Sequence, residues 1–178
     1  MANYVFVAQS LDGFIASKDG STRWLNIPNP TKTDYGYNNF LDKIDAFVIG
    51  RLTFEKALKY KPYPYNKQVF VLSTSLKNIP INLQDSVEIV NGDLKSILQN
   101  INSKGYNNIY IDGGKTIQSF LKEDLIDEIT INTLPIILGE GIKLFENINR
   151  TITLELKSIE NYENGIITSI YKKQEVES

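Results

Sequence analysis

The 178-residue sequence has no cysteine and no histidine, one tryptophan and one methionine. Without cysteine there is no thiolate nucleophile and no disulfide. Without either residue there is no histidine-based triad, no structural zinc site and no zinc-activated water of the deaminase kind, and no metal site is expected. Chemistry must rest on carboxylates, tyrosines, lysines, hydroxyls, backbone groups or a borrowed cofactor. A chain so short of acid–base groups suits a reaction whose hard step an organic cofactor carries.

Charge of one sign is also missing. Nineteen basic residues stand against twenty-one acidic ones, for a formal charge of -2, and no block of like charge occurs, which argues against nucleic acid or anionic lipid as a partner. No apolar run nears the roughly 18 residues that a membrane span needs. The segment from Met1 to Ala8 lacks the basic start and apolar stretch of a signal peptide. A cytoplasmic protein with a single domain over 1–178 is expected, with a polar, frayed tail over 172–178.

Strand-like runs rich in β-branched and aromatic residues recur at Tyr4–Ala8, Ala46–Ile49, Gln68–Leu72, Val87–Val90, Asn108–Ile111, Glu128–Thr133, Thr153–Ile159 and Ile166–Tyr171. Helical spacing predicts helices over Asp34–Ile44, Thr53–Tyr60, Leu94–Ser103 and Thr116–Glu123. Alternation of strand and helix through the first two-thirds predicts an α/β fold with a mostly parallel sheet and helices on both faces. The last third is strand after strand. Asn161-Tyr162-Glu163-Asn164-Gly165 reads as a hairpin turn, so an antiparallel pair should close one edge. Tyr60 to Asn66, interrupted by Pro62 and Pro64, reads as an aromatic loop, either packing its rings on the sheet edge or serving as a lid or contact.

Three corners at strand ends carry the candidate chemistry. Asp112-Gly113-Gly114-Lys115-Thr116 leaves a strand and opens a helix, where backbone amides can cradle a phosphate. It is not a P-loop, because Ile109 stands where the first glycine would be, and no Rossmann fingerprint is present either. Gly50-Arg51-Leu52-Thr53 repeats the design and holds one of only three arginines. Leu72-Ser73-Thr74-Ser75 puts three hydroxyls after a third strand. Each corner alone has an ordinary reading as a tight turn or helix cap. Together, at the carboxyl ends of parallel strands, they should converge on the crevice where open α/β sheets hold ligands, which points to a dinucleotide.

The ordered segments Ala8 to Ala16, Trp24-Leu25, Ile49 to Glu55, Val71 to Thr74, Ile111 to Gly114 and Leu134 to Phe145 resemble the dihydrofolate-reductase-like superfamily. Within it, the chain is similar to the reductase (C-terminal) domain of the bifunctional riboflavin-biosynthesis deaminase-reductase, over about residues 4–171. The resemblance implies a three-layer αβα fold with an antiparallel C-terminal hairpin at the sheet edge, and a reductase using NADPH on a pyrimidine- or pteridine-type heterocycle. It carries the reductase part only. A true dihydrofolate reductase and a non-catalytic NADP-binding protein stand as alternatives, and a homodimer is implied by the family alone.

The same resemblance assigns Ala8 and Ile15, within a closing loop from Ala8 to Ala16, to the nicotinamide. It assigns Gly50, Arg51 and Thr53 to phosphates, Leu72, Ser73 and Thr74 to the adenosine side, and Gly113, Gly114, Lys115 and Thr116 to the pyrophosphate. Arg51 and Ser73 would read the 2′-phosphate. Asp34 and Asp12 are the candidate catalytic carboxylates, although Asp34 suits the first turn of a helix and Asp12-Gly13 suits a plain turn. Trp24, Tyr35 and Asn132 are the substrate-side candidates, with Tyr35 and Tyr37 able to stack on a flat ring. Pro135 to Phe145 reads as a reversal between strands, similar to a segment near the family's subunit contact.

Overall fold

A computed structural model describes residues 1–26 and 33–174; residues 27–32 and 175–178 lie outside the described residues. Among the described residues, ten strands and four α-helices follow in the order β1 (Ala2–Ser10), β2 (Phe14–Ala16), α1 (Tyr37–Asp42), β3 (Ala46–Gly50), α2 (Arg51–Ala57), β4 (Gln68–Leu72), β5 (Val87–Val90), α3 (Leu94–Ser103), β6 (Asn108–Asp112), α4 (Gly114–Lys122), β7 (Glu128–Leu134), β8 (Ile142–Lys143), β9 (Leu154–Asn161) and β10 (Ile167–Lys173). Eight of the strands form one sheet in the order β5-β4-β3-β6-β1-β7-β10-β9.

The six strands from β5 to β7 are parallel; β10 runs antiparallel to both β7 and β9. The expected αβα architecture follows from alternation along the central strands. On β3, Ala46 and Val48 face a core shared with Ile97, Leu98 and Ile101 of α3 and Ile117, Phe120 and Leu121 of α4. Phe47 and Ile49 face the opposite core, with Phe40 of α1 and Phe54 of α2. A strand covered on both sides must be apolar at every position, as Ala46 to Ile49 are. The hairpin turn closes as expected, with the Tyr162 N–H donating to the Ile166 carbonyl at 2.9 Å.

Local chemistry moves several boundaries. The first helix begins at Tyr37, not Asp34, because Tyr35 (φ 53) and Gly36 (φ 82) adopt left-handed backbone that no α-helix accommodates. The helices after β3 and β6 start two residues earlier than the pattern suggested, directly from their glycine caps. Lys172 and Lys173 belong to β10 and are not frayed; the Lys173 N–H donates to the Asp127 carbonyl at 2.8 Å, and its ammonium pairs with Asp124.

A small second sheet pairs β2 with β8, an element that periodicity over two or three residues cannot reveal. Gly141 is required here: a Cβ at this position would lie 2.3 Å from the Ala16 carbonyl oxygen, and its φ of 155 is in the glycine-favoured region.

Candidate active site

Where strand β6 meets β1, the sheet opens. The two strands are paired over Ala2, Asn3 and Tyr4 only, whereas β1 stays paired with β7 as far as Ser10. Beyond Tyr4, β1 and β6 therefore part at their carboxyl ends, the position where open α/β sheets form a crevice. Separation leaves backbone groups of β1 to be satisfied some other way. The Tyr110 hydroxyl does this for Phe6, donating to its carbonyl at 2.7 Å. Since residues two apart on a strand point their amide and carbonyl the same way, Ala8 turns its N–H and C=O toward the same opening.

The three glycine and hydroxyl corners come together as expected. Gly50, Arg51, Leu72, Ser73, Thr74, Lys115 and Thr116 line one groove of about 530 Å³ at the carboxyl ends of β3, β4 and β6. Two helix starts meet at its floor. A Cβ on Gly50 would lie 2.8 Å from the Thr116 hydroxyl oxygen, and one on Gly113 would lie 2.5 Å from that of Thr53. A Cβ on Gly114 would sit 2.5 Å from Cδ1 of Ile15, so the β2 segment closes over the α4 corner. These contacts bring Ile15, Thr53 and the Gly113-Gly114 pair together beside the groove from three separate stretches of chain.

Polar groups in the groove already have local partners, and that defines what they have left to offer. Arg51 pairs with Glu55 one helical turn on, at 2.7 Å, with both side chains about two-fifths exposed. The Ser73 hydroxyl oxygen accepts from the amides of Leu76 (2.8 Å) and Ser75 (3.2 Å), a capping turn that leaves its proton free to donate.

The segment from Ala8 to Ala16 is not one loop. It is the end of β1, a turn and strand β2. Asp12 holds it in place: its carboxylate accepts from the Ser10 hydroxyl at 2.6 Å and from the amides of Leu138 (3.1 Å) and Gly139 (2.7 Å). The Ser10 bond foremost, with those amides, keeps the Asp12 pKa below the usual carboxylate range. None of these bonds reaches the groove, so Asp12 sits as a tether to the Pro135–Phe145 reversal. Asp34 is likewise exposed and engaged with backbone, accepting from Asn38 (2.8 Å) and Gly36 (3.1 Å) ahead of α1. Those amides lower its pKa, Asn38 most. It stands ahead of α1 and not in the first turn of a helix, and from there it holds the Asn38 amide.

On the substrate side, Asn132 is buried on β7, opposite Ala8 of β1, and its side-chain oxygen accepts from the Thr168 hydroxyl at 2.5 Å. Trp24 is buried in a cluster with Leu134 and Ile166, packed by Ala8 and Tyr35, and its indole N–H has no hydrogen-bond partner among the described residues. Tyr35 accepts from Asn164 at 2.7 Å and meets Tyr162 edge-on at 4.9 Å. Tyr37 is partly buried against the core, meeting Phe6 edge-on at 5.1 Å.

Asp112 is the residue that the motif reading passed over. It ends β6 on the face of Tyr110, at the mouth of the opening beside Phe6. The Tyr65 hydroxyl donates to one oxygen at 3.0 Å and the Gly113 amide to the other at 2.8 Å. Burial raises its pKa above the usual carboxylate range despite these two bonds and the Lys56 charge, which favour the ionised form. The loop around Pro62 and Pro64 supplies Tyr65, whose ring packs on Phe47 at 4.7 Å. An acidic residue closing an otherwise apolar parallel strand was the available signal.

The chain is similar to known proteins. The RibD C-terminal domain model matches residues 4–168. The uncharacterized protein YwjB of Bacillus subtilis is 33% identical, covering 91% of this chain and 92% of its own. A crystal structure of a provisionally named riboflavin biosynthesis protein from Shewanella sp. PV-4 superposes with a TM-score of 0.93 at 41% identity, over 98% of this chain and all of the other. The deaminase/reductase of Thermotoga maritima (TM-score 0.73, 16% identity) is matched over 97% of this chain and 56% of its own, about half its length. Dihydrofolate reductase of Enterococcus faecalis, solved with NADP(H), has the same fold, with a TM-score of 0.64 at 16% identity over 98% of this chain and 97% of that one. On its sheet topology and these likenesses, the chain belongs to the RibD C-terminal domain family of reductase-like domains and has the dihydrofolate-reductase-like fold.

Proposed function

We propose that this chain is an NADPH-dependent reductase delivering hydride to a pyrimidine- or pteridine-type heterocycle, resembling 5-amino-6-(5-phosphoribosylamino)uracil reductase. One observation carries the reading: residues of all three corners line a single groove at the carboxyl ends of β3, β4 and β6. The lack of side chains at Gly50, Gly113 and Gly114 lets Thr116, Thr53 and Ile15 pack against these corners and so shapes the groove in which a dinucleotide would lie.

NADPH, when bound, supplies the hydride. Arg51 and the free proton of Ser73 hold the 2′-phosphate, and Lys115 and the α4 amides hold the pyrophosphate. Ile15 and the Ala8 backbone position the nicotinamide end. Hydride delivery to a C=N or C=O bond also needs a proton, and Asp112 holds one to higher pH than an ordinary aspartate. Tyr65 fixes the Asp112 carboxyl from one side and Gly113 from the other. The spare indole N–H of Trp24 and the Asn132 amide offer polar contacts to the heterocycle.

The test is a spectrophotometric screen of NADPH oxidation against the riboflavin-pathway pyrimidine, dihydropterins and dihydrofolate. Oxidation with the pyrimidine or a pterin is expected. Turnover with dihydrofolate alone would replace the reading by a true dihydrofolate reductase, and tight NADPH binding with no oxidation would leave a non-catalytic binding protein.

A further inference from the structure

The sequence holds two Asn-Gly pairs, Asn91-Gly92 and Asn164-Gly165. In such a pair the missing side chain lets the glycine nitrogen come close to the asparagine side chain, and the two react only where both are free to meet. The fold treats the pairs differently. At the hairpin turn the Asn164 side chain is held at both ends: its nitrogen donates to the Tyr35 hydroxyl at 2.7 Å and its oxygen accepts from the Ile166 amide at 3.3 Å. The Gly165 amide is engaged as well, donating to the Tyr162 carbonyl at 2.8 Å. Asn91 and Gly92, by contrast, are exposed in the short link between β5 and the Asp93 cap of α3. Among the described residues, neither the Asn91 side chain nor the Gly92 amide has a hydrogen-bond partner. Apart from its chain neighbours, nothing lies within 4 Å of where a Gly92 Cβ would stand.

Asn91 also lines the groove of the three corners, together with Arg51, Ser73 and Lys115. The link is anchored there, because the Ser73 amide donates to the carbonyl of Val90, the residue before Asn91, at 3.0 Å. A charge appearing at position 91 would act on the same space as the charges of Arg51 and Lys115.

We propose that Asn91 is a site of spontaneous deamidation, and that the carboxylate it gains weakens NADPH in the groove. The Gly92 nitrogen, having lost its proton to solvent base, attacks the carbonyl carbon of the Asn91 side chain. A five-membered succinimide closes as the bond to the side-chain nitrogen breaks, and that nitrogen leaves as ammonia. Water then opens the ring at either carbonyl, leaving aspartate or isoaspartate at position 91; nothing is oxidised or reduced. Either product adds a negative charge beside Arg51 and Lys115, and isoaspartate also lengthens the main chain ahead of the α3 cap. The deamidation stands by itself, whereas its effect on NADPH rests on the coenzyme site of the reductase reading.

Peptide mapping by mass spectrometry tests the chemistry, after prolonged incubation of the coenzyme-free protein in mildly alkaline buffer, with an isoaspartate-specific methyltransferase to label the product. In the folded protein, conversion at Asn91 is expected to outpace conversion at Asn164; in urea, where neither pair is held, both should convert. Conversion at Asn164 as fast as at Asn91 in the folded protein, or an Asn91 that stays intact there while converting in urea, overturns the site. The consequence is read by fluorescence titration of Asn91→Asp. NADPH affinity lower by about fivefold with NADH little changed supports it; equal losses for the two coenzymes, or no loss, overturn it. Because neither readout uses turnover, a protein that binds NADPH but reduces no heterocycle with it sinks the reductase reading alone.

Discussion

The contact between Ile15 and Gly114 joins the β2 segment to the α4 corner, and it is open to a quantitative test. A methyl group on Gly114 would sit 2.5 Å from Ile15 Cδ1, with the next atoms at 3.8 and 3.9 Å. Cδ1 is therefore the whole conflict. Overpacking costs about 1–3 kcal/mol, and Ile15 is only partly buried, which favours the low end. Replacing glycine inside a helix also gains up to about 1 kcal/mol of helix propensity, less at a first-turn position. The two effects nearly cancel, so Gly114→Ala alone is not diagnostic.

A cycle with Ile15→Val removes the ambiguity, because the propensity gain appears in both arms and drops out. Ile15→Val deletes Cδ1 at a cost of about 0.5–1 kcal/mol. In the double variant the clash is gone, so a favourable coupling of about 1 kcal/mol is expected in urea unfolding, equivalent to roughly 2–4 °C in Tm for a chain of this size. Additivity within about 0.3 kcal/mol would refute the contact. A ligand readout accompanies it: Gly114→Ala should weaken NADPH but not 2′,5′-ADP, which lacks the nicotinamide end.

Replacing Arg51 by Ala should weaken NADPH much more than NADH, by about 1.5–3 kcal/mol less whatever the Glu55 pair already absorbs, and equal losses measured by fluorescence titration would remove its 2′-phosphate role. Asp112→Asn should abolish the acid-dependent limb of the pH–rate profile. Since burial raises the Asp112 pKa, its contribution to stability is present below the unfolded-state value and lost as pH rises through the folded one. The Asn variant should accordingly gain stability relative to wild type between acid and neutral pH, and a constant difference across that window in urea titrations would contradict it. Asp34→Asn should keep kcat while lowering thermal stability near neutral pH, because the lowered pKa makes the native contribution one that is present above the unfolded value and lost on acidification. Loss of turnover would instead favour a dihydrofolate reductase. Gly141→Ala should lower Tm by breaking the β2–β8 pairing, since the added methyl meets the rigid Ala16 carbonyl, with an unchanged melt counting against the close approach.

Much of this molecule is written in short-range pattern. The strands at Gln68–Leu72 and Val87–Val90 and the helix at Leu94–Ser103 fall where periodicity puts them, because an apolar run of fixed period has one way to be buried. The glycine and hydroxyl corners were legible for a similar reason: a strand end followed by a helix start needs particular residues whatever surrounds it.

Tertiary structure decided the rest. Whether Gly50 and Gly113 touch the same helix starts depends on β3 lying next to β6, a pairing of residues some sixty positions apart. The Asp112–Tyr65 bond joins a strand end to a proline-broken loop, and neither segment alone carries a sign of the other. Asp12 and Asp34 show the converse, since a carboxylate's chemistry depends on its neighbours, and both are occupied by backbone amides. Residue type and spacing are local properties, and from them the sequence by itself determined the main strands and helices and the strand-end corners. Burial and proximity belong to the folded chain, so the structure alone decided which carboxylate is enclosed.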